Sequence, residues 1–124
     1  MILLNYDLDN AENAIKALDS AGISPSVAMW TKLPDYEDWR LVIASDKLDQ
    51  DSPKAGYEVV VEALRAAEVP IQMRTSVVLL PMRSTFVQAI RRIFANAAGV
   101  YGMRLGGQTI GDKYIEEAFV YRVQ

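Results

Sequence analysis

Apolar and polar positions change their spacing several times along the chain, and each change marks an element. Between Ser26 and Asp46, two runs rich in Val, Ile, Trp and Leu flank the cluster Pro34-Asp35-Tyr36-Glu37-Asp38, a run-turn-run arrangement that predicts a β-hairpin. Parity then sets its register. With Leu33 facing Trp39 across a five-residue loop, Thr31/Leu41 and Met29/Ile43 share one face while Trp30/Val42 and Ala28/Ala44 share the other. A loop one residue shorter would oppose Lys32 to Leu41 and Ala28 to Ser45, so the odd loop is expected. Both faces are then largely apolar, which predicts a hairpin covered on both sides.

Upstream, Asp9-Asn10-Ala11-Glu12 has the form of a capping box, and Ala11, Ile15 and Leu18 recur at i, i+4 and i+7 before Gly22 and Pro25. A first helix over 10–21 is expected. Met1 to Tyr6 suits a short strand or a helical lead-in equally. Downstream, the polar connection Asp46-Lys47-Leu48-Asp49-Gln50-Asp51 leads to Ser52 and Pro53, an N-cap and the proline favoured at the first helical position. This second helix is expected to run to Pro70 with Tyr57, Val60, Val61 and Leu64 on its buried stripe. Gly56 weakens it by about 1 kcal/mol relative to Ala, which points to a neighbour in close approach.

The unbroken run Thr75-Ser76-Val77-Val78-Leu79-Leu80 predicts a central strand buried on both faces. A third helix follows from a second capping box, Thr85-Phe86-Val87-Gln88, and ends at Gly99. Phe86, Ile90, Ile93, Phe94 and Ala97 line its inner face, leaving Gln88, Arg91, Arg92 and Asn96 outside. Residues 101–105 and 118–123 alternate as strands do, and Gly106-Gly107 and Gly111-Asp112 between them are both two-residue hairpin signals. A short extra strand between the two glycine turns fits this spacing.

The predicted order is α-β-β-α-β-α-β-β. It implies an α+β fold of α/β-like character, a mixed five-stranded sheet with antiparallel hairpins at its ends, parallel strands in its middle and helices packed on it. The chain has 124 residues and no linker or repeat, so residues 1–124 are read as one domain. No apolar run approaches the length of a membrane span, and Met1-Ile-Leu-Leu meets Asp7 and Asp9 with no basic segment before it. No membrane association and a cytoplasmic location are expected.

Charge changes the picture further. Residues 1–62 carry twelve acids against five bases, a net −7, and residues 63–124 carry four acids against eight bases, a net +4. Between Val69 and Gly111 there is no acid but there are five arginines, Arg74, Arg83, Arg91, Arg92 and Arg104. Either the basic half folds against the acidic half, or it meets an anionic partner.

The chain has no histidine and no cysteine, so it cannot supply a Ser-His-Asp or Cys-His site, a thiolate, or a Cys/His zinc site. Gly-Lys-Ser/Thr phosphate loops and GxGxxG are also missing. Asp35, Glu37 and Asp38 offer closely spaced oxygens but sit at a hairpin tip, where acids are ordinary turn residues. Pro34-Asp35 lacks the Asp/Glu-x-Lys that a nuclease of that pattern requires. Ser45 and Lys47 fall on one side of a strand end, as a Ser-Lys pair would, although a solvated lysine explains them as well. Trp30, Tyr36 and Trp39 could stack bases or simply pack. The glycine-rich stretch from Gly99 to Gly111 fits a flap or tight turns.

In open sheets, ligands bind at the carboxyl ends of parallel strands, where helix N-termini present free N–H groups. Those ends are expected at Ser45 and at Arg83, Ser84 and Thr85, which make a candidate anion seat. No catalytic set, metal site or cofactor is indicated. The expectation is a small non-catalytic interaction or regulatory domain acting through a homodimer or a protein partner, with enzyme activity left open under the alternative. The alternative is an anion-binding protein, for nucleotide, phosphoester or nucleic acid.

Overall fold

The computed structural model describes residues 5–49 and 52–124, and the side chains of all of these except Asn5, Tyr6 and Pro53. Its elements are α1 (Asn5–Ser20), β1 (Val27–Lys32), β2 (Arg40–Ala44), a 3-10 turn (Asp46–Leu48), α2 (Pro53–Ala66), α3 (Ile71–Arg74), β3 (Val77–Leu79), α4 (Thr85–Ile93), β4 (Arg104–Ile110) and β5 (Lys113–Val123). The five strands form one mixed sheet in the order β3-β2-β1-β5-β4. The fold is α+β, as the pattern implied. No helix among the described residues is long and apolar enough to cross a membrane.

Each face of the sheet carries its own core. Ala28, Trp30, Leu41 and Ile43 meet Ala11, Ala14, Ile15 and Leu18 of α1 and Val60 and Leu64 of α2. Val27, Met29, Val42, Ala118 and Val120 meet Phe86, Val87 and Ile90 of α4 on the other face. The first hairpin is therefore covered on both sides, and Trp30 and Trp39 are only 5% and 7% exposed.

Its register, however, is one residue away from the expected one. Trp30 faces Leu41, and Met29 faces Val42. Leu33 and Trp39 do not oppose each other but pack into the α4-side and α1-side cores respectively. Trp39 stacks on Trp30 with ring centroids 6.2 Å apart. The loop closes around Lys32 instead, whose ammonium donates to the carbonyls of Leu33 and Tyr36 and pairs with Glu116 at 3.3 Å. A lysine spent on loop carbonyls is invisible to a parity argument.

Helix α1 starts at Asn5, so Asp9 to Glu12 lie inside it rather than capping it. Leu8 packs on the core and extends the apolar stripe by a turn. Met1 to Leu4, and Gln50 and Asp51 of the polar connection, lie outside the described residues. Helix α2 begins as expected, with the Ser52 hydroxyl accepting from the Ala55 N–H. It stops at Ala66, and Glu68 turns the chain through a positive φ of 60°. A short α3 follows Pro70, a helix that the expected order of elements lacks. Val61 is exposed, because Val60 and Leu64 already hold the inward positions one turn apart. Gly56 does admit close neighbours: a Cβ there would lie 3.1 Å from the Leu48 carbonyl oxygen and 3.3 Å from Leu79.

Strand β3 pairs in parallel with β2 alone, so it is an edge and not the centre. The second strand-helix-strand unit makes no parallel pair, since the chain after α4 travels to the far end of the sheet. There β4 and β5 form a single hairpin whose turn is Gly111-Asp112, while Gly106 and Gly107 fall within β4. Strand β5 inserts beside β1, antiparallel, and this joins the two hairpins in the middle of the sheet. Helix α4 is capped by Ser84 rather than Thr85 and ends at Ile93, which is exposed.

Candidate functional site

The anion seat read from the sequence is largely occupied by the protein's own groups. Ser45 is fully buried; its hydroxyl donates to the Ile23 carbonyl at 2.7 Å and accepts from the Lys47 N–H. This oxygen caps the 3-10 turn and ties it to the end of α1, which leaves it closed to a solute and to a Ser-Lys role. Ser84 accepts from the Val87 N–H as the α4 N-cap. Arg83 and Thr85 are exposed. The Asp49 carboxylate already accepts from the Met82 N–H at 3.3 Å, beside the helix start. On another side the Gly111 turn rests on the Thr85 and Phe86 backbone.

A cleft of about 560 Å³ lies between α1, α3 and the first hairpin; its walls include Asp7, Asp38, Arg40, Gln72, Thr75 and the edges of Trp30 and Trp39. Its one cation is committed to structure. The Arg40 guanidinium donates to the Thr75 carbonyl and lies 4.7 Å from the centre of the Tyr36 ring. The aromatic floor is a buried stacked pair, so it packs the core and shows little ring face to a ligand. Among the described residues no three acidic side chains converge as a cation would need, and Asp35, Glu37 and Asp38 stay apart in that sense.

Ion pairing does not follow the charge asymmetry. Asp19 and Arg122 form a bidentate pair at 2.8 Å, and the guanidinium holds the Asp19 carboxyl below its usual range. Lys32 pairs with Glu116, and the remaining pairs are local helix neighbours. None of the five arginines between Val69 and Gly111 joins a salt bridge among the described residues. Among the described residues, the basic segment is thus not paired with the acidic half.

The two edges of the sheet are unequal. On β3, three residues long, the Leu79 N–H donates to the Tyr57 hydroxyl at 3.0 Å, so a helix side chain closes the edge. On β4, among the described residues, no side chain closes the edge in this way. Its seven residues, Arg-Leu-Gly-Gly-Gln-Thr-Ile, carry one charge, no proline and no lysine, and Gly106 to Thr109 are all exposed. A bulge starts the strand, with the Gly102 N–H donating to the Val120 carbonyl and the Val120 N–H donating to Met103. Exposed Tyr101 and Met103 flank it, and exposed Tyr114 is paired with Thr109. The Tyr101 hydroxyl donates to Glu12, which pushes its pKa up. Sequence reasoning missed this site because it placed a turn at Gly106-Gly107.

The fold and these surfaces define a small α+β domain with a mixed sheet and one open edge. No protein-family model, curated protein or solved structure matches the chain.

Proposed function

We propose that the protein is a non-catalytic interaction domain, acting in the cytoplasm, whose contact surface is the free edge of β4. One observation carries this reading: β4 is a seven-residue edge strand with a bulge at its start alone and a single charge, and among the described residues no side chain closes its edge as Tyr57 closes that of β3. An exposed edge of this length offers a row of backbone donors and acceptors to an extended strand. Tyr101, Met103 and Tyr114 supply apolar surface beside it. The alternative, an anion-binding protein, has less support, because Ser45 is closed and Asp49 takes the backbone donor beside α4.

The test is selection of displayed random peptides against the parent and against Gln108→Lys/Thr109→Lys, which charges two exposed edge positions without touching the core. Peptides retained by the parent and lost by the variant, at equal thermal stability of the two proteins, are expected. If the binders ignore the edge substitution, the reading is wrong.

A further inference from the structure

We infer that the occupant of the β4 edge is a second copy of the same chain, paired antiparallel about a two-fold axis near Gly107 and Gln108, so that two five-stranded sheets become one of ten strands. This rests on the reading of β4 as the contact surface and adds the identity of the partner.

The strand is complementary to itself in one orientation only. With the axis at its midpoint, full antiparallel overlap brings Arg104 at one end against Ile110 and the Gly111-Asp112 turn of the partner. Arg104 and Asp112 are both exposed, and neither takes part in a salt bridge within its own chain among the described residues. The two-fold makes this contact twice, Arg104 to Asp112 of the partner and the reverse. Parallel in-register pairing would instead set Arg104 beside its own copy, and like charges directly opposite are destabilising.

Between these ends, Leu105 to Thr109 carries no charge, so no repulsion arises along the seam. Gly106 and Gly107 leave its centre without side chains. A seam of backbone bonds alone is small, and a stable interface also requires buried apolar area. Tyr114 sits one strand in from the axis and Met103 at the end of the strand, both exposed. A closed two-fold of this kind consumes both free edges at once, whereas a head-to-tail contact would leave one open to continue as a filament.

The experiment is sedimentation of the full chain over micromolar concentrations, with amide hydrogen exchange read across residues 104–110. The parent is expected to be a dimer whose β4 amides gain protection as concentration rises. Arg104→Asp and Asp112→Arg should each weaken the dimer by about tenfold or more, as like charges brought together at a contact do, and Arg104→Asp/Asp112→Arg should restore it. Gln108→Lys/Thr109→Lys should be a monomer with an unchanged melting temperature. That variant keeps the test decisive if a charge exchange at the strand ends disturbs folding. A parent that stays monomeric to high micromolar concentration overturns the inference. So does a dimer that survives the lysine variant, or one that the double charge exchange fails to restore. A monomeric parent that still selects edge-dependent peptides removes the second copy alone. Binders and dimers that both ignore β4 remove the edge reading as well.

Discussion

Replacing Gly111 by Ala tests how the second hairpin is seated on the rest of the molecule. Gly111 has a φ of 61°, and Asp112 after it is not in the left-handed region, the pattern of a type II′ turn with glycine first. An L-residue forced to that φ costs about 1–2 kcal/mol. A second effect adds to this. The new Cβ would lie 2.8 Å from the Thr85 carbonyl oxygen and 3.0 Å from the Phe86 Cα. Both are backbone atoms at the start of α4, so neither can rotate away. Displacing the turn or the helix to relieve such overlap costs about 1–3 kcal/mol, giving about 2–5 kcal/mol in all. Gly22→Ala is the control. Its φ is 80°, but nothing lies within 4 Å of the added Cβ, so only the conformational cost of about 1–2 kcal/mol applies. The assay is urea unfolding followed by the emission of Trp30 and Trp39. At a slope of about 1–2 kcal/mol per molar, the Gly111 variant should lose about 1–5 M from its midpoint, and more than the control does. Equal losses in the two variants would mean that the turn does not rest on α4.

Three further outcomes are expected. Asp19→Asn should cost about 1 kcal/mol at neutral pH, since the pair with Arg122 is bidentate but about one-third exposed. Because the Asp19 pKa is lowered on folding, this stability is fully present above the unfolded carboxyl value of about 4 and is lost as pH falls through the lower folded value. Parent and variant should converge in acid, and a gap that persists at pH 2 would point to some cause other than ionisation. Trp39→Ala should cost about 3–5 kcal/mol, and iodide should quench neither indole of the native parent efficiently, measured against the unfolded chain. Sulfate should shift the melting temperatures of the parent and of Arg83→Ala equally, because Asp49 already serves the Met82 N–H; a shift abolished by the substitution would reinstate the anion seat.

What could be read from the sequence was local. Ser52-Pro53 starts α2, and Ser84 needs only its own helix to act as a cap, although Thr85 one residue on resembled one as closely. The α+β class followed from counting such units. Failures began where a long-range contact overrode a local signal. Stacking of Trp30 on Trp39, with Lys32 holding the loop carbonyls, moved the hairpin register by one residue. Val61 and Ile93 fit the helical stripes but found no facing element. Gly106-Gly107 carries a strong turn signal and Gly107 does take a positive φ of 62°, yet the strand continues past it, because Leu105 packs on the α4-side core and residues on both sides keep their register with β5.

The candidate site was less legible still, for a topological reason. Which strands become edges depends on which hairpin strand reaches β1, and local residue preferences do not encode that choice. Both strands could extend the sheet, but β5 alone brings a long run of inward apolar groups, Ile115, Ala118 and Val120, against the α4 core. It also carries Arg122 to Asp19 and the Tyr121 hydroxyl to the Leu8 carbonyl on α1. Placing β5 inside satisfies both faces at once and forces β4 outward. β4 then carries only Arg104 and Leu105 as large side chains before Gln108, too little to form a core and too little charge to repel another strand. An outer strand so composed is open to pairing with a further strand, and at seven residues β4 is not short. The same assignment that completes the core therefore creates the surface through which this protein is proposed to act.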